Sequence, residues 1–437
     1  MAAAPKIGGA RVAYVNARLL DPDSRLDVPG ALLTEGSQIA DFGPRLFAEG
    51  VPEGIEVVDC GGRCLAPGLV DMRVQLRDPG EEHKETIATA SDAAAAGGVT
   101  AMVCLPNTDP VIDDVAAVEF IARRAREVRG AKVYCYAAAT RDLAGSELTE
   151  MGLLSETGAL GFTDGTKAIA NARVMQRALL YARTFGALIV QHPEEPALVQ
   201  DGAMNAGEVA LRLGLSGIPA VAEVMMIERD LRLVEMTGGR YHAAHVSTAE
   251  AVAAIRRAKD KGLNVTCDTA PPYFSLDENA VGEYRTFAKL SPPLRAESDR
   301  AAVAAGLADG TIDAIASDHS PHDQESKRLP FAQAEFGAVG LETLLPLSLA
   351  LYHKGEMSLL DVLARLTVNP ARVLGLPLGR LARGAPADLV LFDLDRPWVV
   401  NADKFRSKSK NSPFDEWPVQ GQVIRTVVAG RTLFAAA

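Results

Sequence analysis

Cysteine is scarce in this chain: five in 437 residues, at Cys60, Cys64, Cys104, Cys135 and Cys267, with no CxxC pair. That excludes a disulfide-built scaffold and a cysteine-ligated zinc site, and most of the five fall in apolar, strand-like stretches where a free thiol packs as a small hydrophobe. No uninterrupted apolar run approaches the ~20 residues a membrane span needs, and the start, MAAAPKIGGA, lacks the apolar core of a signal peptide. A soluble, cytoplasmic protein with no membrane partner is expected. Positive charge is also in deficit: 45 Lys and Arg stand against 56 Asp and Glu, a formal net charge of −11. Nothing in that balance attracts nucleic acid or anionic lipid. Repeats with periods of about 20–50 residues and low-complexity tracts are missing too. What is present is an ordinary globular composition, 48% apolar and 23% charged, sufficient to bury a large core.

At ~150 residues per domain, the length suits one large domain with one or two small ones. Residues 1–66 read as short strands broken by turns, since ARVAYVNARLLDP, ALLTEGSQIADFG and IEVVDCGGRCLAPG set alternating apolar residues between Gly, Pro and Asp. Over 67–378 the pattern changes to short apolar runs separated by Ala-, Leu- and Arg-rich helical stretches, as in βα units around a parallel sheet. Eight runs stand out: LVDMRVQL, VTAMVCLP, KVYCYAA, ALGFTD, ALIVQH, YHAAHV, LNVTCDT and DAIASDH. Eight units predict an α/β fold, a (β/α)8 barrel. Residues 379–437 return to strand patterns in PADLVLFDLD and QVIRTVVAGRTLF, so the two ends of the chain are expected to form one small β-sandwich beside the barrel.

In such a barrel the C-terminal strand ends face the active site. Reading each run to its end gives Arg73 and Gln75, Asn107, Asp164, His192, His245 and Asp318. Two histidines and two aspartates on four strand ends suit a zinc- or manganese-type centre, which lowers the pKa of bound water from 15.7 to about 7. A lone buried histidine is more often a hydrogen-bonded core residue; the joint placement is what points to chemistry.

Seven segments carry a resemblance: DMRVQLRDPG (71–80), CLPNTDPVID (104–113), QHPEE (191–195), AEVMMIERD (222–230), HAAHVST (242–248), KLSPPLR (289–295) and SDHSPH (317–322). With these the chain resembles the type I dihydroorotases of the amidohydrolase superfamily over almost its whole length. The resemblance implies a (β/α)8 barrel with a terminal β-sandwich, and reversible cyclisation of N-carbamoyl-aspartate to dihydroorotate in pyrimidine biosynthesis. It implies Asp318 as the catalytic base, Asp164, His192 and His245 as second-site metal ligands, and Arg77, Asn107, Ser291, His322, Phe336 and Gly337 as substrate contacts. Ser291 stands where the family has Asn. His319 is expected to be structural, Lys167 solvent-facing, and His83, His242 and His353 without a role.

The match breaks at the end of the first strand. There the family carries two zinc-binding histidines as HxH; this chain has Arg73 and Gln75. A guanidinium stays protonated and has no lone pair for a cation, so Arg73 is no ligand and the first metal site is expected to be absent. Arg73 either pairs with Asp318 or Asp164, weakening Asp318 as a base, or points away and solvates at the barrel mouth. The two adjacent acids of the family's fourth strand are one here, Asp164, and APPY (270–273) replaces a histidine-rich segment.

Two functions follow from this pattern. One is a catalytically impaired dihydroorotase homologue that serves as a structural partner of aspartate transcarbamoylase. The other is an active cyclic-amide hydrolase using a single second-site metal. At most one zinc per chain is expected, and none if the site has fully degenerated. Dihydroorotate or N-carbamoyl-aspartate is the expected ligand, and a homo- or hetero-oligomer the expected assembly.

Overall fold

The computed structural model describes residues 10–436. Residues 1–9, which include most of the MAAAPKIGGA stretch, lie outside the described residues.

The eight apolar runs form a ring. Leu69–Val74, Val99–Cys104 and Lys132–Cys135 pair in parallel, as do Leu188–Gln191, Arg240–Ala243, Val265–Thr269 and Ala314–Ile315. The two sets meet through single parallel bridges. Phe162 bridges Ala137 on one side and Ile189 on the other, and Val74 bridges His319. The fourth run thus contributes one bridging residue rather than a strand. The backbone N–H of Gln75 donates to the His319 carbonyl at 2.9 Å, joining the ring where first and eighth runs meet. These strands are buried on both faces, which is why they read as continuous apolar runs.

Helices between the strands start where the sequence supplies caps. Thr86 and Thr89 form a reciprocal capping box at Ile87–Ala96, and Thr248 caps Ala249–Asp260. Ile87, Met102, Phe162, Ile227, Ile255 and Leu345 lie in one large apolar core between strands and helices. At the end of the first helix the chain passes very close to a neighbour: a Cβ on Gly97 would stand 2.0 Å from the Leu341 carbonyl oxygen.

The terminal segments share one eight-stranded sheet. Arg11–Asp21 pairs antiparallel with Leu26–Glu35 and parallel with Cys64–Pro67. Cys64–Pro67 then pairs antiparallel with Leu389–Val399, which continues to Pro418–Val428 and Arg431–Ala435. Tyr14, Leu19, Leu32, Leu65, Leu389 and Val427 form the buried core of this sheet.

Residues 401–417, between two strands of the sheet, depart from it and lie against the barrel. Glu85 accepts from the Ser407 hydroxyl and from the Lys408 N–H (3.1 Å); Glu342 accepts from the Arg406 N–H (2.7 Å) and the Ser407 N–H (3.1 Å). Burial pushes the Glu342 carboxyl up to about 7, against the pull of those two donors.

Candidate functional site

The first barrel strand sends Arg73, Gln75 and Arg77 toward the strand ends. Arg73 is 2% exposed, and its Nε donates to Asp318 Oδ1 at 2.8 Å. Its Nη2 donates to the Gly165 carbonyl at 3.3 Å, while Nη1 is buried without a hydrogen-bond partner among the described residues. Of the expectations for Arg73, the pairing with Asp318 is the one observed. The contacts continue in a line: Asp318 Oδ2 lies 3.1 Å from His245 Nδ1, His245 Nε2 lies 2.8 Å from His192 Nδ1, and His192 Nε2 lies 3.2 Å from Glu194. Ser291 donates its hydroxyl to Glu194 at 2.6 Å, so its side chain is committed there. Tyr273, from APPY, sets its ring edge-on to His245 with centroids 6.5 Å apart.

This line fixes the electrostatics. Burial alone would raise the Asp318 carboxyl, but His245 and Arg73 outweigh it and hold it well below the usual carboxylate range. Burial likewise favours a neutral Glu194, yet His192, Arg295 and Ser291 hold it down at about 2. His245 is pushed down to about 4 by burial and by the Arg73 charge. Backbone strain marks the same places. His245, Asp318 and Arg77 have φ of 38°, 51° and 59°, a region L-residues avoid and functional sites retain.

The substrate-contact residues form a second group in the same cavity. Asn107 Nδ2 donates to Gln75 Oε1 (3.0 Å), and Gln75 Nε2 donates to Ser320 Oγ (3.0 Å). Arg77 donates through Nη2 to Ser320 Oγ (3.4 Å), through Nε to the Pro321 carbonyl (3.3 Å), and through Nη1 to Glu81 (2.8 Å). His322 is pushed down to about 2 by burial and by Arg77, so it is neutral; its Nε2 lies 2.8 Å from the Phe336 carbonyl, which only accepts, and 3.2 Å from Arg77 Nη2, which only donates. The shorter contact, to the carbonyl, assigns the proton to Nε2, which leaves Nδ1 a buried acceptor with no partner among the described residues. Arg73, Gln75, Arg77, Asn107, Ser291, Asp318, His322, Phe336 and Gly337 line one cavity of about 350 Å³.

Asp164 does not join the histidine pair. Both its oxygens accept from Thr140, from the N–H at 2.9 Å and from the hydroxyl at 2.6 Å, and burial raises its pKa. The two imidazole nitrogens that face each other at 2.8 Å are closer than the ~3.3 Å that tetrahedral bonds of 2.0–2.1 Å require. Among the described residues no three His, Cys, Asp or Glu side chains converge on one point that would hold a metal ion. As arranged, the donor set does not fit a metal centre. Of the remaining polar residues, His319 accepts from the Gly340 N–H (3.1 Å) and faces Glu85, His242 lies between Thr266 and Asp268 (2.8 Å each), and Lys167 is exposed.

Ser320 and Thr140, which hold Gln75, Arg77 and Asp164, had no role in the reading of the sequence, and neither did Glu194 and Asn411. Glu194 ends the line from Arg73, and its only signal was the second acid of QHPEE. Asn411 comes from the segment between sheet strands: Nδ2 donates to the Ser320 carbonyl (3.0 Å) and the Gly337 carbonyl (3.1 Å), and Oδ1 accepts from the His322 N–H (3.1 Å). Nothing in KFRSKSKNSP announces that contact.

Known proteins share this arrangement of chain. Residues 62–251 match the family described as Dihydro-orotase-like. A dihydroorotase of Wolbachia sp. subsp. Drosophila simulans (strain wRi) is 50% identical, covering 98% of this chain and 96% of the relative. A dihydroorotase of Pelobacter propionicus is 46% identical, with 96% and 98% covered. Among solved structures, the L-hydantoinase (dihydropyrimidinase) from Arthrobacter aurescens superposes with a TM-score of 0.86 at 26% identity, covering 98% of this chain and 97% of that one.

Proposed function

The chain belongs to the dihydroorotase family, and from that premise we propose that it acts in pyrimidine biosynthesis as a dihydroorotase, on the dihydroorotate and N-carbamoyl-aspartate pair. The observation that carries this reading is the substrate corner. Arg77 and Asn107, the donors expected for a ligand carboxylate, line one cavity with His322 and Gly337 and are braced through Gln75 and Ser320. A guanidinium fork with an amide donor suits a carboxylate. Ring opening adds water across the ring C–N bond and transfers a water proton to a base. Asp318 is the aspartate lining the cavity and would be that base.

A second reading is favoured by the Arg73–Asp318 pair. An aspartate whose two oxygens face Arg73 and His245 is a poor proton acceptor, so the site would bind the ligand without turning it over. The chain would then serve as a structural partner of aspartate transcarbamoylase, because assembly surfaces lie outside the pocket and survive its loss. A dihydroorotate hydrolysis assay on the purified protein, with and without added zinc, separates the two. A kcat/KM in the usual 10⁴–10⁸ M⁻¹s⁻¹ range, abolished by Arg77→Ala, supports the enzyme. Activity at least ~10³-fold lower, with dihydroorotate still bound and aspartate transcarbamoylase co-eluting, supports the second reading.

A further inference from the structure

The cavity holds two arginines for two different purposes. Arg77, near the rim, reaches Ser320, Pro321 and Glu81 and belongs to the corner that suits one carboxylate. Arg73 stands deeper, on the first barrel strand, which ends before Arg77; it is 2% exposed, with one guanidinium edge spent on Asp318 and Gly165. Its Nη1 has no partner among the described residues. A buried guanidinium N–H without an acceptor carries a large desolvation penalty, which an arriving anion relieves with a charge-assisted hydrogen bond. The neighbouring side chains do not supply that acceptor, because Asp318 is shared with His245, and the Gln75 oxygen is taken by Asn107. His322 lines the same cavity, and its buried Nδ1 is likewise without a partner among the described residues.

From this arrangement we infer that Arg73 is a ligand-binding residue, a second carboxylate subsite that selects an open-chain dicarboxylate over the ring form. The inference rests on the proposed function, which supplies the two ligands, and adds which of them the site prefers. N-carbamoyl-aspartate carries two carboxylates: one meets Arg77 and Asn107, the other meets Arg73. Dihydroorotate has consumed the second carboxylate in its ring amide and offers Arg73 only a carbonyl oxygen. Arg73 thus does more than occupy the place of a metal-binding histidine; it changes what the pocket recognises, from a bound water to a second anion.

The test is calorimetric titration of the chelator-treated protein with three probes: N-carbamoyl-L-aspartate, N-carbamoyl-L-asparagine and dihydroorotate. The asparagine analogue keeps the ureido group and the first carboxylate and loses only the second. The expected result is a Kd for N-carbamoyl-aspartate at least tenfold below those of the other two. In Arg73→Met that preference should vanish while the dihydroorotate affinity stays within about threefold. The analogue series on the unaltered protein stands by itself if Arg73→Met fails to fold. Equal affinity for the aspartate and asparagine compounds overturns the subsite and leaves the proposed function standing, and so does a preference that survives Arg73→Met. No binding by any of the three, with no turnover, overturns both.

Discussion

Asp71 lies two residues before Arg73 on the first barrel strand, with Oδ1 accepting from the Arg73 N–H (3.2 Å) and the Ser317 N–H (3.1 Å) while Oδ2 is buried without a partner among the described residues. Burial pushes this carboxyl up to about 7. In the unfolded chain it ionises near 3.9. Between those values the folded state holds the extra proton, so this residue lowers stability progressively as pH rises from about 4 to about 7. Asp71→Asn keeps the shape and removes the charge. Thermal unfolding should show the variant gaining on the parent by up to a few kcal/mol near pH 8 and by little near pH 4; a gain that does not grow with pH would contradict the assignment. At Arg73 and Gln75 the prediction concerns metal. The parent should purify with well under two metal ions per chain by elemental analysis, and the double change Arg73→His with Gln75→His should raise that content. No rise in a folded variant would point to Asp164, which Thr140 already holds.

Among the elements, the barrel strands were legible because parallel strands buried on both faces are written as unbroken apolar runs. The strand-end positions of Asp318, His245 and His192 were legible as well, but the reading expected a metal held by the two histidines with Asp164, where the structure has a line of direct contacts and Asp164 on Thr140. The segment 401–417 was not. It is polar and basic with no period, and its shape is imposed by acids elsewhere in the chain: Glu85 lies 322 positions from Ser407. Glu194 and Thr140 escaped for a related reason, as their parts depend on which neighbour each side chain meets. The segment makes a prediction of its own. Asn411→Ala removes three hydrogen bonds from the loops carrying His322 and Gly337, and should weaken dihydroorotate binding at least tenfold. Ser407→Ala loosens the same segment at Glu85 and should lower the melting temperature without that loss of affinity; a matching loss in both would reduce Asn411 to a structural role. At the first helix, Gly97→Ala drives a methyl against the Leu341 carbonyl, and chemical denaturation should register about 1–3 kcal/mol of lost stability.

At the scale of the whole molecule, the two ends of the chain are interleaved. Cys64–Pro67 lies between a strand from the first 21 residues and a strand that begins at Leu389, so neither end of the chain completes the sheet alone. A chain ending at residue 399 would lose two strands, the anchors on Glu85 and Glu342, and Asn411 together. It should be recovered largely insoluble, and any soluble fraction should fail to bind dihydroorotate. The same interleaving sets a clock on biosynthesis. A ribosome adds about 5–20 residues per second, and Asn411 follows His322 by 89 residues, roughly 4–18 seconds at that speed. Through that interval the newborn barrel carries its arginines and histidines but lacks the residue that braces His322 and Gly337. Ligand present during translation therefore finds no finished pocket, and a segment made well after the barrel's strand ends decides when the first binding event takes place.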